Sequence, residues 1–170
     1  MSDRLLIEPM TDTDWPEVRR IYAEGIATGD ATLEREAPDW NHFDHSHRHD
    51  CRFVARAVAG GPILGWTALT AYSSRRVYAG VAWESVYVAA DARGQGVGRA
   101  LLEALIPESE SAGLWTLLAG VLTENRASVA LHESVGFRQV GVQRALGQDP
   151  TGRWRDVMLL ERRSPIAGVH

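Results

Sequence analysis

Glu84-Ser85-Val86-Tyr87-Val88-Ala89-Ala90-Asp91-Ala92-Arg93-Gly94-Gln95-Gly96-Val97-Gly98-Arg99 leads from strand-forming residues through a glycine loop into a segment of helical spacing. Residues 81–89 are β-branched, aromatic or small, whereas Leu101, Leu102, Leu105 and Ile106 recur at steps of three and four. A strand, a tight loop and a helix in that order aim consecutive backbone N–H groups and the positive end of the helix dipole at one point. That point suits phosphate oxygens. The loop misses the dinucleotide fingerprint GxGxxG, because Arg99 stands where glycine or alanine belongs and the loop comes halfway along the chain after antiparallel strands. Taken alone it reads equally well as a tight turn in which Gly98 admits a close helix.

Working outward, residues 51–58 and 63–71 read as antiparallel strands joined at Gly60-Gly61-Pro62. Before them, residues 5–8 form a short strand, and Thr11 with Asp14 resembles a capping box ahead of Pro16. Trp15, Val18, Ile21, Tyr22 and Ile26 then mark the buried face of a helix. Residues 38–43 open a short amphipathic helix that runs into a histidine-rich stretch. Downstream, Pro107 predicts a kink or an early end to the helix that follows the glycine loop. Residues 114–122 have the length and apolarity of a buried strand, Glu124-Asn125 opens a second helix that runs to Ser134, and Gly136 closes it. Residues 137–146 and 153–160 supply two last strands, and residues 164–170 have the composition of a frayed tail. The expected organisation is a single mixed α/β domain over residues 1–163.

Composition narrows the chemistry. The 170 residues hold 18 arginines and no lysine, which removes Walker A phosphate loops, pyridoxal Schiff bases and the protein-kinase phosphate clamp. A net charge of −4 with scattered arginines argues against nucleic acid as a partner. Cys51 is the only cysteine, so neither an intrachain disulfide nor a cysteine-based metal site is available. With no apolar stretch of membrane-spanning length and no basic-then-apolar leader in MSDRLLIEPM, the expectation is a cytoplasmic protein that neither enters nor contacts a membrane.

Arg93, Gly96 and Gly98 follow Val86-Tyr87-Val88 and precede Asn125, His132-Glu133 and Gly136-Phe137; with Ile21-Tyr22, Thr32-Leu33-Glu34, Arg75, Tyr78 and Gly152-Arg153-Trp154-Arg155-Asp156-Val157, this order resembles the GNAT acetyltransferases. Within them it looks most like the phosphinothricin and methionine sulfoximine acetyltransferase group, from about residue 5 to 160. The resemblance implies a GNAT fold: a seven-stranded, mostly antiparallel mixed sheet flanked by helices, with two central parallel strands, 81–89 and 114–122, splayed around acetyl-CoA. It implies coenzyme contacts from Val86, Tyr87, Val88, Arg93, Gly94, Gln95, Gly96, Val97, Gly98, Arg99, Asn125 and Ser128. It further implies an acceptor held by Arg75 and Tyr78, a proton donor to the leaving thiolate at His132, no metal, and a homodimer that uses residues such as Trp40, Phe43 and Trp154.

Several of these residues have plainer readings. Asn125 is also an ordinary helix N-cap, His132 also a surface histidine, and Arg75 also a solvated charge with Arg76 as its equal beside it. His45 and His49 have the spacing of a helical metal-binding pair, although a solvated or substrate-flanking helix explains the histidines at 42, 45, 47 and 49 better. The group's general-base glutamate falls at Trp83, and Glu84 comes one residue late. A regular strand turns that neighbour to the opposite face, so Glu84 serves as base only if a β-bulge re-aims it.

The expected activity is acetyl-CoA-dependent N-acetylation of the α-amine of a small amino-acid-like molecule, of the phosphinothricin or methionine sulfoximine and sulfone type, by direct attack on the thioester. An α-amine near pKa 8 is roughly one tenth neutral at pH 7, so such an acceptor tolerates a weak base better than a lysine side chain does. The alternatives are another amine (a polyamine, an aminoglycoside, a protein N-terminus) and an acyl-CoA-binding module that lacks turnover.

Overall fold

The structure is a computed structural model that describes residues 5–169; the first four residues of the chain, part of the leader and domain readings above, and His170 lie outside the described residues. Along the chain come β1 (Leu6–Pro9), α1 (Trp15–Ala27), α2 (Trp40–Ser46), β2 (Phe53–Arg56), β3 (Ile63–Ala71), β4 (Val81–Val88), α3 (Val97–Ser111), β5 (Thr116–Leu122), α4 (Arg126–Ser134), β6 (Arg138–Gln148) and β7 (Trp154–Arg163). The strands form one seven-stranded sheet in the order β1-β2-β3-β4-β5-β7-β6. Every neighbouring pair is antiparallel except β4 with β5. This is the GNAT arrangement expected from the resemblance.

The central pair is short. β4 and β5 are in register only at Val81 with Thr116, Ala82 with Leu117 and Trp83 with Leu118, after which they diverge. Beyond Trp83, the edge of β4 that faces β5 is left without a strand partner, and its N–H and C=O groups open into a fork. On its other side β4 pairs with β3 without interruption, from Ala71 opposite Ala82 to Gly65 opposite Val88.

Local sequence accounts for the flanking elements. Thr11 and Asp14 form the capping box, and Pro16 sits in the first turn of α1. The buried face of α1 includes Trp15, Val18 and Ile21. One core cluster joins this face to Phe43 and Trp66, and a second joins Leu102 and Leu105 of α3 to Leu117 of β5.

Two expectations need correction. Pro107 neither ends α3 nor shortens it; the helix continues to Ser111. The carbonyl that Pro107 leaves free belongs to Glu103, and both residues are exposed, so solvent can serve that carbonyl while buried Leu105, Ile106 and Ser109 hold the helix to the core. Residues 164–169 do not hang free. Ser164 N donates to Trp115 O at 2.8 Å, the Ser164 hydroxyl accepts from Ile166 N and Ala167 N, and Arg163 donates to the carbonyls of Ala167 and Gly168.

Trp115 is therefore enclosed between the tail and Gly80. A Cβ at Gly80 would lie 2.0 Å from the indole, while Gly168 presses from the tail side. Gly80→Ala is expected to destabilise the fold by about 1–3 kcal/mol, because the rigid, half-buried indole must shift to admit the methyl group while Gly168 lies close on its other side. At about 2–4 °C per kcal/mol for a chain of this size, thermal denaturation would read this as a loss of several degrees. An unchanged midpoint would show that the indole can move.

Candidate active site

The glycine loop presents bare backbone. Gly94 and Gly96 have φ of 73° and 82°, and nothing lies within 4 Å of a Cβ built at either. Such left-handed conformations suit glycine, and Gly96 is the N-cap of α3. Gly98 has the other role: its Cβ would come 2.9 Å from Leu131 Cδ2, so its absence lets α3 approach α4.

From this loop a groove of about 460 Å³ runs along the free edge of β4, and all the expected coenzyme residues except Gln95 line it. Gln95 turns away, its amide donating to Asp91 O at 2.9 Å. Arg93 and Arg99 are exposed at its rim. Asn125 is the helix cap, its Oδ1 accepting from Ser128 N at 3.2 Å while Nδ2 donates to Asp30 O at 3.2 Å, and it also belongs to the groove wall. The Tyr87 ring is packed between Trp66 and Tyr22, at centroid distances of 4.9 and 4.8 Å, and burial raises its phenol pKa.

At the fork lies a small cavity of about 80 Å³ whose wall includes Glu84 and His132. Both side chains are 2% exposed, and His132 Nε2 donates to Glu84 Oε1. His132 Nδ1 faces Ser128 O at 2.6 Å. With an acceptor at each nitrogen, the ring is set up to carry both protons. Burial, the largest influence, lowers the His132 pKa, but the Glu84 charge and hydrogen bond together with the Ser128 carbonyl outweigh it and hold the value above the ordinary one. Glu84 Oε2 is buried and makes no hydrogen bond among the described residues.

No bulge produces this arrangement, since the β3 to β4 register is unbroken. Trp83 and Glu84 point to opposite faces as strand alternation requires. Trp83 stands near Tyr72, at 6.1 Å, and Glu84 turns toward α4. What brings Glu84 to the cleft is the parting of β4 from β5, which begins one residue before it.

On the other side of the fork opens a cavity of about 830 Å³, whose wall carries Glu34, Glu36, Asp39, His42 and His47 and no arginine. It shares Ala31, Ser85, Tyr87 and Gly120 with the fork cavity, which in turn shares Val86, Asn125 and Ser128 with the coenzyme groove. The three spaces adjoin one another around Ala31 and Tyr87.

Arg75 and Tyr78 lie outside these walls, on the exposed connection between β3 and β4, with the guanidinium 5.3 Å from the Tyr78 ring centroid. Phe43 is wholly buried and Trp40 packs beside it, so of the three aromatic residues expected at a dimer contact Trp154, 60% exposed, is the most available. His45 and His49 do not form a helical pair, because α2 ends at Ser46. Among the described residues no group of three or more His, Cys, Asp or Glu is arranged to hold a metal ion. Cys51 is buried, and that burial pushes its thiol up to about 11, far from a reactive thiolate.

Arg155 lies in the Gly152 to Val157 run that contributes to the resemblance, with no role of its own legible there. Its side chain is 4% exposed and donates to Gly29 O at 2.9 Å, Asp30 Oδ1 at 2.8 Å and Glu124 Oε2 at 3.2 Å. It braces the segment leading to Ala31, the residue that with Tyr87 lines all three spaces. Nothing in its local sequence distinguishes it from an outward-facing strand arginine.

The model of the acetyltransferase (GNAT) family matches residues 14–137. The chain is 38% identical over 164 residues to phosphinothricin N-acetyltransferase of Alcaligenes faecalis, covering 92% of this chain and 81% of that protein. It is 30% identical over 154 residues to the L-methionine sulfoximine/L-methionine sulfone acetyltransferase of Pseudomonas aeruginosa, covering 87% and 88%. Among solved structures, the phosphinothricin acetyltransferase of Sinorhizobium meliloti in complex with AcCoA superposes with a TM-score of 0.85 at 26% identity, over 96% of this chain and 90% of that one.

Proposed function

The chain belongs to the GNAT family of N-acetyltransferases, and we propose that it moves acetyl from acetyl-CoA to the α-amine of a small amino-acid-like acceptor of the phosphinothricin or methionine sulfoximine and sulfone type. The observation that carries this reading is the juxtaposition of the glycine-loop groove, the fork cavity with Glu84 and His132, and a separate cavity with a carboxylate-rich wall. The acetyltransferase domain is taken as residues 1–163, working in the cytoplasm.

The open backbone at Gly94 and Gly96 fits a pyrophosphate, and Val86 to Val88 offer unpaired backbone groups to a pantetheine arm. Bound there, acetyl-CoA supplies an activated acyl group. Glu84 accepts a proton from the amine through Oε2, the oxygen that His132 leaves free. His132 keeps a proton beside that carboxylate. Because both ring nitrogens are engaged, the acid role passes through Glu84 or through the Ser128 hydroxyl, 3.4 Å from Nδ1. Cys51 takes no part, so transfer is direct.

Arg75 and Tyr78 are assigned to the acidic end of the acceptor, the end that projects past Thr70 toward the exposed connection, because the cavity wall holds carboxylates and no arginine. Arg75→Ala is expected to raise the KM for the acceptor about tenfold and leave that for acetyl-CoA unchanged; equal kinetics would return Arg75 to the role of a solvated charge. We also propose a homodimer. β6 is exposed along nearly its whole length, with Val142 and Leu146 46% and 54% exposed, and Trp154 lies opposite Gln148 at its far end on β7. Light scattering at micromolar concentration that gives the mass of one chain would remove the dimer.

The test of the function is release of free thiol from acetyl-CoA with L-methionine sulfone, phosphinothricin and a panel of other amines. Turnover with the first two is the expected result. Preference for a polyamine or an aminoglycoside would keep the enzyme and change its acceptor, and coenzyme binding without transfer to any amine would overturn the reading.

A further inference from the structure

We propose that His47 is a second catalytic base, on the acceptor side of the sheet: its Nε2 takes the first proton from the incoming ammonium, leaving Glu84 to take the next. This rests on the acetyltransferase reading above and divides its proton chemistry between two residues.

Stoichiometry requires two acceptors. Converting R–NH3+ to an acetamide breaks two N–H bonds and forms one N–C bond, while the thioester C–S bond breaks; one proton ends on the thiolate sulfur and the other leaves for solvent. Glu84 is a single site, buried on the face of the sheet away from the large cavity. The amine arrives through that cavity still charged, since an α-amine near pKa 8 is about nine-tenths protonated at pH 7.

His47 is built for the first step. It follows the last turn of α2 with its ring stacked on Phe43 at 4.0 Å, and it forms part of the cavity wall. Nδ1 lies 2.9 Å from Phe43 O, a carbonyl that can only accept, and 3.0 Å from the Ser46 hydroxyl, whose own hydrogen goes to His42 O at 2.8 Å, so Nδ1 carries the hydrogen and Nε2 of the neutral ring is an acceptor. Nε2 makes no hydrogen bond among the described residues. Elsewhere on the same wall, Glu34, Glu36 and Asp39 give the cavity a negative surface that draws in a cation.

Burial holds His47 below its ordinary value, with the charges of Arg52 and His42 acting the same way against the Phe43 carbonyl, so at neutral pH the ring is unprotonated and ready to accept. Arg52 is itself occupied, bonded to Asp44 at 2.7 Å and lying over Trp40. The half-buried ring can return its proton to solvent through the cavity.

The deciding variant is His47→Asn, whose amide nitrogen can keep the bond to Phe43 O while nothing replaces Nε2. Acceptor kcat/KM should fall about tenfold at pH 7, and the deficit should close as pH rises past the pKa of the amine, where solvent supplies neutral amine. A merely structural histidine would give a loss that is independent of pH, and either that result or unchanged kinetics would overturn the proposal. Binding is read separately by NMR of the wild-type protein with ring-labelled histidine, titrated with butylammonium. A saturable shift of the His47 resonances is expected, and its absence would overturn the proposal. If butylammonium moves His47 but no amine is acetylated, the acetyltransferase reading fails and the ammonium site stands.

Discussion

Glu84→Gln is expected to lower turnover about 100-fold or more at neutral pH while acetyl-CoA binds as before. Glutamine keeps the shape of the side chain and can still accept at one oxygen from His132 Nε2, so the fork should survive. What disappears is a carboxylate oxygen, buried and unpartnered, able to take a proton beside the splayed edge of β4. The loss should be greatest at low pH and should narrow as hydroxide and buffer bases take over, and it should fall on kcat with the KM for acetyl-CoA unmoved. Single-turnover rates across pH 6–9 separate the cases: a profile parallel to that of the wild type would mean that Glu84 only holds His132 in place. Trp83→Glu, which restores an acid on the face where strand alternation puts the family's base, should not rescue Glu84→Gln, because that face is not the one on which His132 lies.

Strand alternation, read from the sequence, correctly turns Glu84 away from Trp83. It cannot show what waits on the far face. The partner, His132, is 48 residues away, and the two meet only because β5 parts from β4 at Leu118 and α4 then packs across the gap. Glycine spacing and the run of residues 81–99 carry the groove beside the glycine loop because much of its wall comes from residues close together in sequence. The large cavity is assembled from α1, the segment 31–39, α2 and the residue after it, β3, β4, β5 and β7, and no local pattern joins Tyr22 to Val157. Arg155 illustrates the same limit, since its partners at 29, 30 and 124 come from distant turns. Pro107 shows the opposite limit: propensity alone predicts a kink or an early end, and the helix runs on to Ser111 because tertiary burial on both sides of the proline outweighs the lost hydrogen bond.

His132→Leu is expected to cost the fold about 3–5 kcal/mol at neutral pH, because it leaves the Glu84 carboxylate buried without its proton donor. At about 2–4 °C per kcal/mol this is a fall of roughly 6–20 °C in the melting temperature. The double variant Glu84→Gln, His132→Leu removes both charges and should recover much of that loss, and it also provides the reference for pH. The folded-state pKa of His132 lies above its unfolded value, so the stability it contributes is complete below about pH 6.5 and is lost as pH rises through the folded value. The stability difference between wild type and double variant should therefore be largest in mild acid and decline toward alkaline pH. A difference that stays flat from pH 5 to 9 would mean that the proton does not reside on the imidazole, and the acid role assigned to His132 would go with it.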